Sequence, residues 1–318
     1  MGHDVLASGA ENTPTEIVRR KALEAAGVRI IAGKLDDEHW LHGLVRDADV
    51  VIHLAAAQHE VGVPDGYFRA VNVEGTRNLL AACRAESVPR FVHGSTIGVY
   101  GSALEGELTE ASPTMPNNIY GVTKLEAEGV VHSFEKDLAC TIVRISETYG
   151  PGDRRLLKLF RALNSGTFFV VGRGRNIHQP VYVDDLTTGL LSAATSDGSV
   201  GETFVLAGAE RLTTTQMVEQ IAAALDSRAP SLRLPLWPFY ATALLMEAAL
   251  KPLGIEPPLH RRRLDFFVKS FSFSQEKASR LLGYSPRTSF RAGTAATAAW
   301  YHDQGLLSLQ RHELPHGS

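Results

Sequence analysis

The alternation of short apolar segments with helical segments constrains the fold of this chain more than any other feature. Runs rich in apolar and β-branched residues predict four buried strands: Val28–Ile31, Val50–Leu54, Arg90–His93 and Thr141–Arg144. Segments with helical character lie between them: Pro14–Ala26, Glu38–Arg46, Val71–Ala85 and Tyr120–Phe134. Because parallel strands need a crossover connection, this order predicts an α/β fold with a doubly wound parallel sheet.

Charge and hydropathy exclude several classes of function. The chain has 318 residues and a formal net charge of −3, so it lacks the basic footprint of a protein that binds nucleic acid. Its longest apolar stretch, Leu234–Met246, is too short to cross a bilayer. We expect a helix there that covers a substrate or docks on the surface, and no integral membrane segment. Cys83 and Cys140 lie in apolar runs, which predicts buried thiols in a cytoplasmic protein.

Tyr120 and Lys124 are four residues apart on a predicted helix, so one face of that helix presents both side chains. A phenol has an ordinary pKa of about 10 and is a weak base at neutral pH. A neighbouring ammonium favours the phenolate, because opposite charges stabilise the ionised form. The pair can therefore exchange a proton with a substrate hydroxyl or carbonyl oxygen.

Polar and small residues follow several predicted strands. Ser95–Gly101 places hydroxyl groups after one strand, and Leu54–Ala57 ends another in small residues that let a flat ligand approach the backbone. Asn72 lies near the start of the next helix, and Arg144–Asp153 ends a further strand in a turn. In open α/β sheets, ligands bind at the carboxyl ends of the strands, so these residues mark a candidate site.

Together these motifs resemble the extended short-chain dehydrogenase/reductase superfamily, in its NAD-dependent epimerase/dehydratase family. The resemblance extends from about His3 to Leu307 and includes two later segments, Val181–Asp185 and Ala278–Pro286. It implies an enzyme that uses NAD or NADP as its cofactor and acts on a small-molecule substrate.

The resemblance also implies a division of the chain. Residues 1–165 would form a Rossmann-like domain that binds NAD(P). Residues 166–318 would form a smaller, interleaved lobe that mainly binds the substrate, with 180–195 returning to the main domain. Relatives with this architecture often form homodimers, and Val130 and Val131 are compatible with such a contact.

The family's functional residues fall on matching positions of this sequence. The implied catalytic residues are Thr96, Tyr120 and Lys124. The implied cofactor-binding residues are Leu54, Ala55, Ala56, Asn72, Tyr120, Lys124 and Ile145. The implied substrate-binding residues are Thr96, Glu147 and His178.

The sequence departs from the family at its beginning. Gly2–Leu6 matches the start of the second strand of the family, and the G-x-x-G-x-x-G turn that receives the cofactor's pyrophosphate is absent. We therefore expect an N-terminally truncated Rossmann-like sheet, explained by a start-site error or by a real loss. No acidic residue suited to ribose hydroxyls follows Val5–Ala7, so the choice between NAD and NADP stays open.

Two further departures from the family restrict the class of reaction and substrate. Dehydratases of the family place an Asp-Glu pair after the threonine, whereas Ile97 and Gly98 stand here, which disfavours dehydration. Epimerases of the family carry an asparagine where Glu147 stands and an arginine near His178, and an acid disfavours a diphosphate. With the apolar segment Leu234–Pro258, this points to the 3-beta-hydroxysteroid dehydrogenase and dihydroflavonol reductase branch.

We therefore predict an oxidoreductase that acts on a secondary alcohol or ketone of an apolar, steroid- or flavonoid-like molecule. The alternatives are a nucleotide-sugar epimerase and a non-catalytic binding protein that has lost its phosphate loop. His312–His316 matches a zinc motif in letters, but Pro315 breaks the helix that this motif needs, so we expect no metal. Gly172–Asn176 follows the apolar Phe168–Val171 and predicts the turn of a β-hairpin.

Overall fold

A computed structural model of the chain describes residues 2–10, 14–58, 62–101, 106–250, 257–258 and 261–308. The strands are β1 (Leu6–Gly9), β2 (Arg29–Ala32), β3 (Val50–His53), β4 (Arg90–Thr96), β5 (Glu107–Leu108), β6 (Ala139–Ile145), β7 (Thr148–Tyr149), β8 (Val170–Val171), β9 (Ile177–His178), β10 (Val181–Tyr182), β11 (Thr203–Leu206), β12 (Leu212–Thr213), β13 (Arg233–Leu234) and β14 (Ser272–Phe273).

The helices alternate with these strands over the first half of the chain. They are α1 (Pro14–Ala25), α2 (Glu38–Val45), α3 (Asp65–Arg69), α4 (Gly75–Ala85), α5 (Ile119–Phe134), α6 (Leu157–Asn164), α7 (Val183–Thr195), α8 (Thr214–Ala224), α9 (Leu236–Leu250), α10 (Arg261–Val268), α11 (Glu276–Leu282) and α12 (Phe290–Asp303). The predicted α/β fold is confirmed.

The chain divides into two compact units. The first comprises Met1–Gly101, Thr114–Arg144 and Ala193–Phe204, and the second comprises Ser102–Pro113, Ile145–Ser192 and Val205–Ser318. The functional division into residues 1–165 and 166–318 concerns what each part binds, and it stays a prediction.

The first unit is built on parallel β-structure. A four-stranded sheet has the order β11-β6-β4-β3, and β3 pairs with β4 in parallel register, with His53 opposite His93. The parallel pair β1-β2 forms a separate sheet, and no ladder among the described residues joins it to β3. One core of apolar side chains packs α2, α4 and α5 against the strands, including Leu41, Leu80, Phe91, Val131 and Ile142.

Both cysteines belong to this core. Cys83 and Cys140 are fully buried and are free thiols, as predicted. Burial raises the pKa of each thiol to about 12, because it disfavours the thiolate. Neither thiol therefore has the thiolate character of a catalytic cysteine.

The helix predicted to begin at Val71 begins earlier. α3 starts at Asp65, and a π-helical segment, Ala70–Glu74, joins it to α4. A π-helical turn contains one extra residue and is frequent at functional sites, because it redirects side chains. This segment buries Asn72 completely, on the side facing the end of β3.

A buried ion pair fixes α5 to the main sheet. The guanidinium of Arg144 on β6 donates to both carboxylate oxygens of Glu128 on α5, at 3.0 and 2.8 Å. Ser95 Oγ donates to the same carboxylate, and Arg144 Nη1 donates to the hydroxyl of Tyr100 at 2.9 Å. Arg144 and Glu128 are 9% and 3% exposed, so these bonds form in a medium where an unpaired charge is costly.

The second unit consists of helices and short two-stranded pairs. β8 pairs with β13, and β9 pairs with β12, so the hairpin predicted around Gly172–Asn176 is wrong. Its core lies around α6, α8 and α12, with Phe160, Met217, Ile221 and Tyr301 buried.

We expect the substitution Glu128→Gln to lower the free energy of unfolding by about 3 kcal/mol, because it leaves the Arg144 guanidinium buried without a counter-charge. Urea denaturation followed by circular dichroism measures the change. The control is Glu126→Gln, whose ion pair with Arg69 is exposed and should contribute at most about 1 kcal/mol. Equal effects of the two substitutions would contradict this account of α5.

Candidate active site

One face of α5 carries Tyr120, Lys124 and Glu128 at successive turns of the helix. Asn118 caps this helix, since its side chain accepts a hydrogen bond from the backbone of Gly121. Gly121 permits a close approach, because a Cβ at this position would lie 2.7 Å from the carbonyl oxygen of Gly98. The tyrosine and lysine predicted from the sequence are therefore held on a rigid helix that packs against the segment after β4.

Lys124 is the most unusual group in the first unit. Its side chain is 1% exposed, and its Nζ forms no hydrogen bond with the residues that the structure describes. Burial lowers the pKa of this ammonium to about 8, and the charge of Glu128 opposes that change. A buried ammonium without hydrogen bonds costs folding free energy, and such groups are candidates for binding or catalysis.

Two buried histidines line the same region, and the sequence analysis did not identify them. The rings of His53 and His93 lie with their centroids 5.6 Å apart, and both are affected by the charge of Lys124. Burial, assisted by Lys124, lowers the pKa of His53 to about 3 and that of His93 well below its usual value. Both rings are therefore neutral, and Lys124 is the cation of this group. Each histidine is the fourth residue of a predicted strand, and this matching position was the signal available in the sequence.

Thr96 lies at the carboxyl end of β4. Its side chain is partly buried, and its Oγ1 accepts a hydrogen bond from the backbone of Gly98 at 3.1 Å. The chain then forms a 3-10 turn and ends it at Gly101, whose φ of +72° suits glycine. A Cβ on Gly101 would also collide with the carbonyl oxygen of Met115, so this loop tolerates only glycine there.

The side chain of Asn72 forms hydrogen bonds that fix the loop after β3. Its Oδ1 accepts from the backbone of Ala57 at 2.7 Å, while its Nδ2 donates to the carbonyl of Ala57 and to Thr123 Oγ1. Leu54 and Ala55 of this loop are exposed, and Ala56 is half-buried. The predicted cofactor residue Asn72 thus contacts the loop and α5, and the exposed surface of the loop belongs to Leu54 and Ala55.

The second unit contains the other predicted residues. Ile145 ends β6 and is partly buried, Glu147 lies just beyond it with 43% of its side chain exposed, and His178 is buried at 2%. His178 Nδ1 lies 3.1 Å from Glu147 Oε2, and its Nε2 contacts Asn176 and Thr214. Because a carboxylate only accepts, Nδ1 carries the hydrogen of the bond to Glu147.

Neighbouring groups favour the ionised form of the Glu147 carboxyl. Desolvation raises the pKa of this carboxyl, but the hydrogen bond and charge of His178, with Arg155 and Lys269, lower it below its usual value. A carboxylate that is ionised and partly exposed can accept hydrogen bonds from hydroxyl or ammonium groups, and it repels phosphate.

The first unit has two features that the ribose half of a dinucleotide could use. Lys124 has donors that no described residue uses and that ribose hydroxyls could accept, and Ala55 and Ala56 place little side-chain bulk next to the backbone. For the pyrophosphate, the part of the chain that the structure describes contains no strand-to-helix turn with several glycines. Lys124, Asn72 and this loop therefore stay the predicted cofactor-binding residues, and Asn72 contacts only protein groups among its described hydrogen bonds.

The sequence model of the NAD dependent epimerase/dehydratase family matches residues 1–207. The chain belongs to this family. The predictions of an enzyme and of a nicotinamide cofactor are confirmed at the level of the family, whose members depend on NAD.

Characterised relatives of this family member have several activities. It is 33% identical to the low-salt glycan biosynthesis protein Agl12 of Haloferax volcanii, over 61% of the chain and 64% of that protein. It is 31% identical to a dTDP-glucose 4,6-dehydratase of Actinoplanes sp., over 85% of the chain and 79% of the dehydratase. It is 28% identical to 3beta-hydroxysteroid-dehydrogenase/decarboxylase isoform 2 of Arabidopsis thaliana, over 93% of the chain but 56% of that protein. The chain thus spans less than two thirds of two of these relatives.

Solved structures share the fold. The chain matches a double mutant of the dTDP-glucose 4,6-dehydratase DesIV from Streptomyces venezuelae, crystallised with NAD, at a TM-score of 0.74 and 25% identity. The match covers 96% of this chain and 92% of the dehydratase. The Rossmann-like architecture predicted from the sequence is confirmed.

The remaining predictions concern membrane helices, metal sites, assembly and location. Among the described helices, none combines the length and apolar character that crossing a membrane requires. The described residues include no cluster of three histidine, cysteine or acidic side chains arranged to hold a metal, and His312–His316 lies outside them. The homodimer and the cytoplasmic location stay predictions.

We expect Lys124→Met to stabilise the fold and to weaken NAD binding. The folded-state pKa of about 8 lies below the ordinary 10.5, so burying the protonated amine at pH 7 costs roughly 3 kcal/mol. The wild type recovers this stability as the pH rises from about 8 to about 10.5, so the advantage of the variant should shrink over that range.

Urea unfolding at about pH 7 and pH 10, with NAD titration calorimetry at pH 7, measures both effects. Lys136→Met, at an exposed lysine, is the matched control. It should change neither the free energy of unfolding nor the affinity for NAD. A less stable Lys124→Met protein, or one with unchanged NAD affinity, would show that Lys124 is structural.

Proposed function

We propose that this protein is an NAD-dependent dehydrogenase or reductase that interconverts a secondary alcohol and a ketone on an apolar small molecule. The observation that carries the proposal is the buried Lys124 ammonium, which has unused hydrogen-bond donors and lies one helical turn from Tyr120. The NAD dependence of the family supports NAD as the cofactor. NAD, when bound, accepts or returns the hydride.

Each residue of the first unit has a separate role in this proposal. Tyr120 takes the proton from the substrate hydroxyl during oxidation and returns it to the carbonyl oxygen during reduction. Lys124 holds the ribose hydroxyls and favours the ionised phenol through its charge. Thr96 orients the substrate oxygen through its hydroxyl, and Asn72 keeps Leu54–Ala56 in place against the cofactor.

The residues after Thr96 argue against a dehydratase, although relatives have that activity. Elimination of water needs an additional acid and base beside the reacting carbon. Ile97 is a buried apolar side chain, and Gly98 has no side chain at all. The chemistry supported here is therefore hydride transfer with one proton transfer, without loss of water.

Glu147 and His178 support an uncharged or cationic substrate. We propose that the Glu147 carboxylate, held by buried His178, accepts hydrogen bonds from substrate hydroxyl groups and repels a diphosphate. The similarity to the 3beta-hydroxysteroid-dehydrogenase/decarboxylase of Arabidopsis thaliana supports a hydroxysteroid as the first substrate to test.

Tyr120→Phe should reduce turnover at least about 100-fold, because the variant lacks the hydroxyl that transfers the proton. The assay measures NADH formation with a 3β-hydroxysteroid panel, and calorimetry checks that NAD still binds. Tyr67→Phe is the control, since Tyr67 is 38% exposed and lies on α3. Unimpaired turnover in Tyr120→Phe would remove the proposed mechanism, and absence of NAD binding to the wild type would favour a non-catalytic protein.

Glu147→Asn should strengthen the binding of UDP-glucose by about tenfold, because it removes a negative charge that faces the diphosphate. Calorimetric titration measures the affinity. Glu219→Asn, at an exposed acid on α8, controls for net charge and should have little effect. Tight UDP-glucose binding by the wild type, together with conversion of the sugar without net NADH formation, would establish the epimerase alternative instead.

A further inference from the structure

α9 has an apolar surface on both of its sides. Its inner side is covered, because Ala243 and Glu247 are buried and the ring of Phe239 contacts Phe169 at a centroid distance of 5.7 Å. The helix also packs against α10. These contacts fix which side of α9 remains in contact with solvent.

The outer side of α9 exposes large apolar side chains. We call it the α9 face, and it consists of Trp237, Tyr240, Leu244 and Leu245, which are 74%, 43%, 40% and 71% exposed. Their spacing of three, four or one residues places them on one side of the helix. Between Leu236 and Leu250 the only charged residue is Glu247, which lies on the buried side. Large exposed apolar patches are unusual on soluble proteins and mark interaction sites.

The sequence around α9 is strongly basic. Residues 228–263 contain six lysine and arginine residues and two glutamates, a net charge of +4 in a chain whose total is −3. Arg228 and Arg233 are exposed just before α9, and Arg261–Arg263 begin α10. Positive charge is therefore concentrated, along the chain, on the same segment as the exposed apolar side chains.

We propose that the α9 face docks on an anionic lipid surface, with the helix lying in the plane of the headgroups. A helix of 15 residues is about 22 Å long, too short to cross the hydrocarbon layer, but tryptophan and tyrosine side chains favour the lipid–water interface. Arginine residues that flank α9 in the sequence add attraction to acidic headgroups. Docking would place an enzyme for apolar substrates where such molecules dissolve.

The charge distinguishes this occupant from a second copy of the chain. A symmetric contact through the α9 face would bring two segments of +4 together, and like charges oppose such a contact. A membrane with acidic lipids can contact the apolar side chains of the α9 face and also attract the basic residues of the segment.

Vesicle co-sedimentation of the full chain tests the proposal. We expect binding to phosphatidylcholine vesicles with about 30% phosphatidylserine to be at least about tenfold stronger than to phosphatidylcholine alone, and to fall in about 0.5 M salt. Trp237→Ser/Leu245→Ser should reduce this binding at least about tenfold. Val18→Ser/Val200→Ser, at apolar residues that are 62% and 45% exposed elsewhere, should retain it.

Substitution of the arginine residues at the start of α10 separates the electrostatic contribution to vesicle binding from the apolar contribution. Arg261→Gln/Arg262→Gln/Arg263→Gln should lower binding to acidic vesicles toward the level of neutral ones. NAD binding should be unchanged in all these variants, so failure of this proposal is distinguishable from failure of the proposed function.

Three results would overturn the docking proposal. One is equal or absent binding to the two kinds of vesicle. Another is a wild-type dimer that Trp237→Ser/Leu245→Ser dissociates in light scattering while vesicles remain unbound. The third is a raised KM for an apolar substrate in that variant without vesicle binding, which would make α9 a substrate cover.

Discussion

The buried ion pair between Glu128 and Arg144 fixes the position of the helix that carries the proposed catalytic residues. It joins α5 to β6 with two hydrogen bonds to one carboxylate, and Ser95 on β4 donates to the same group. Glu128 is one helical turn beyond Lys124, so the pair fixes both the rotation and the height of the helix face that carries Lys124 and Tyr120. It also leaves a negative charge beside Lys124, which favours retention of the proton on the amine.

The proposed role of Lys124 in binding NAD comes at a cost in folding stability. Removal of its ammonium from water is not offset by a hydrogen bond to any described residue, and the neighbouring His53 and His93 are neutral. A cofactor whose hydroxyls reach Nζ would supply the missing partners. In the proposed function, the free energies of NAD binding and of folding are linked through this amine.

The sequence was sufficient for features set by local pattern and insufficient for those set by distant partners. Apolar runs located the strands, and the i, i+4 spacing located Tyr120 beside Lys124, because both depend on neighbours along the chain. The hairpin around Gly172–Asn176 was wrong, since a two-residue strand pairs with whichever segment packs beside it, here β13. The π-helical segment around Asn72 and the contact of His53 with His93 depend on tertiary packing that no short motif records.

The account depends on Lys124 as the group that meets the ribose of NAD. A crystal structure of the protein with NAD tests this most directly. We expect Nζ of Lys124 within about 3.2 Å of the ribose hydroxyls on the nicotinamide side, with the nicotinamide ring close to Tyr120. NAD bound with its ribose away from Lys124, or an ammonium that instead pairs with a protein group when NAD is present, would contradict the account.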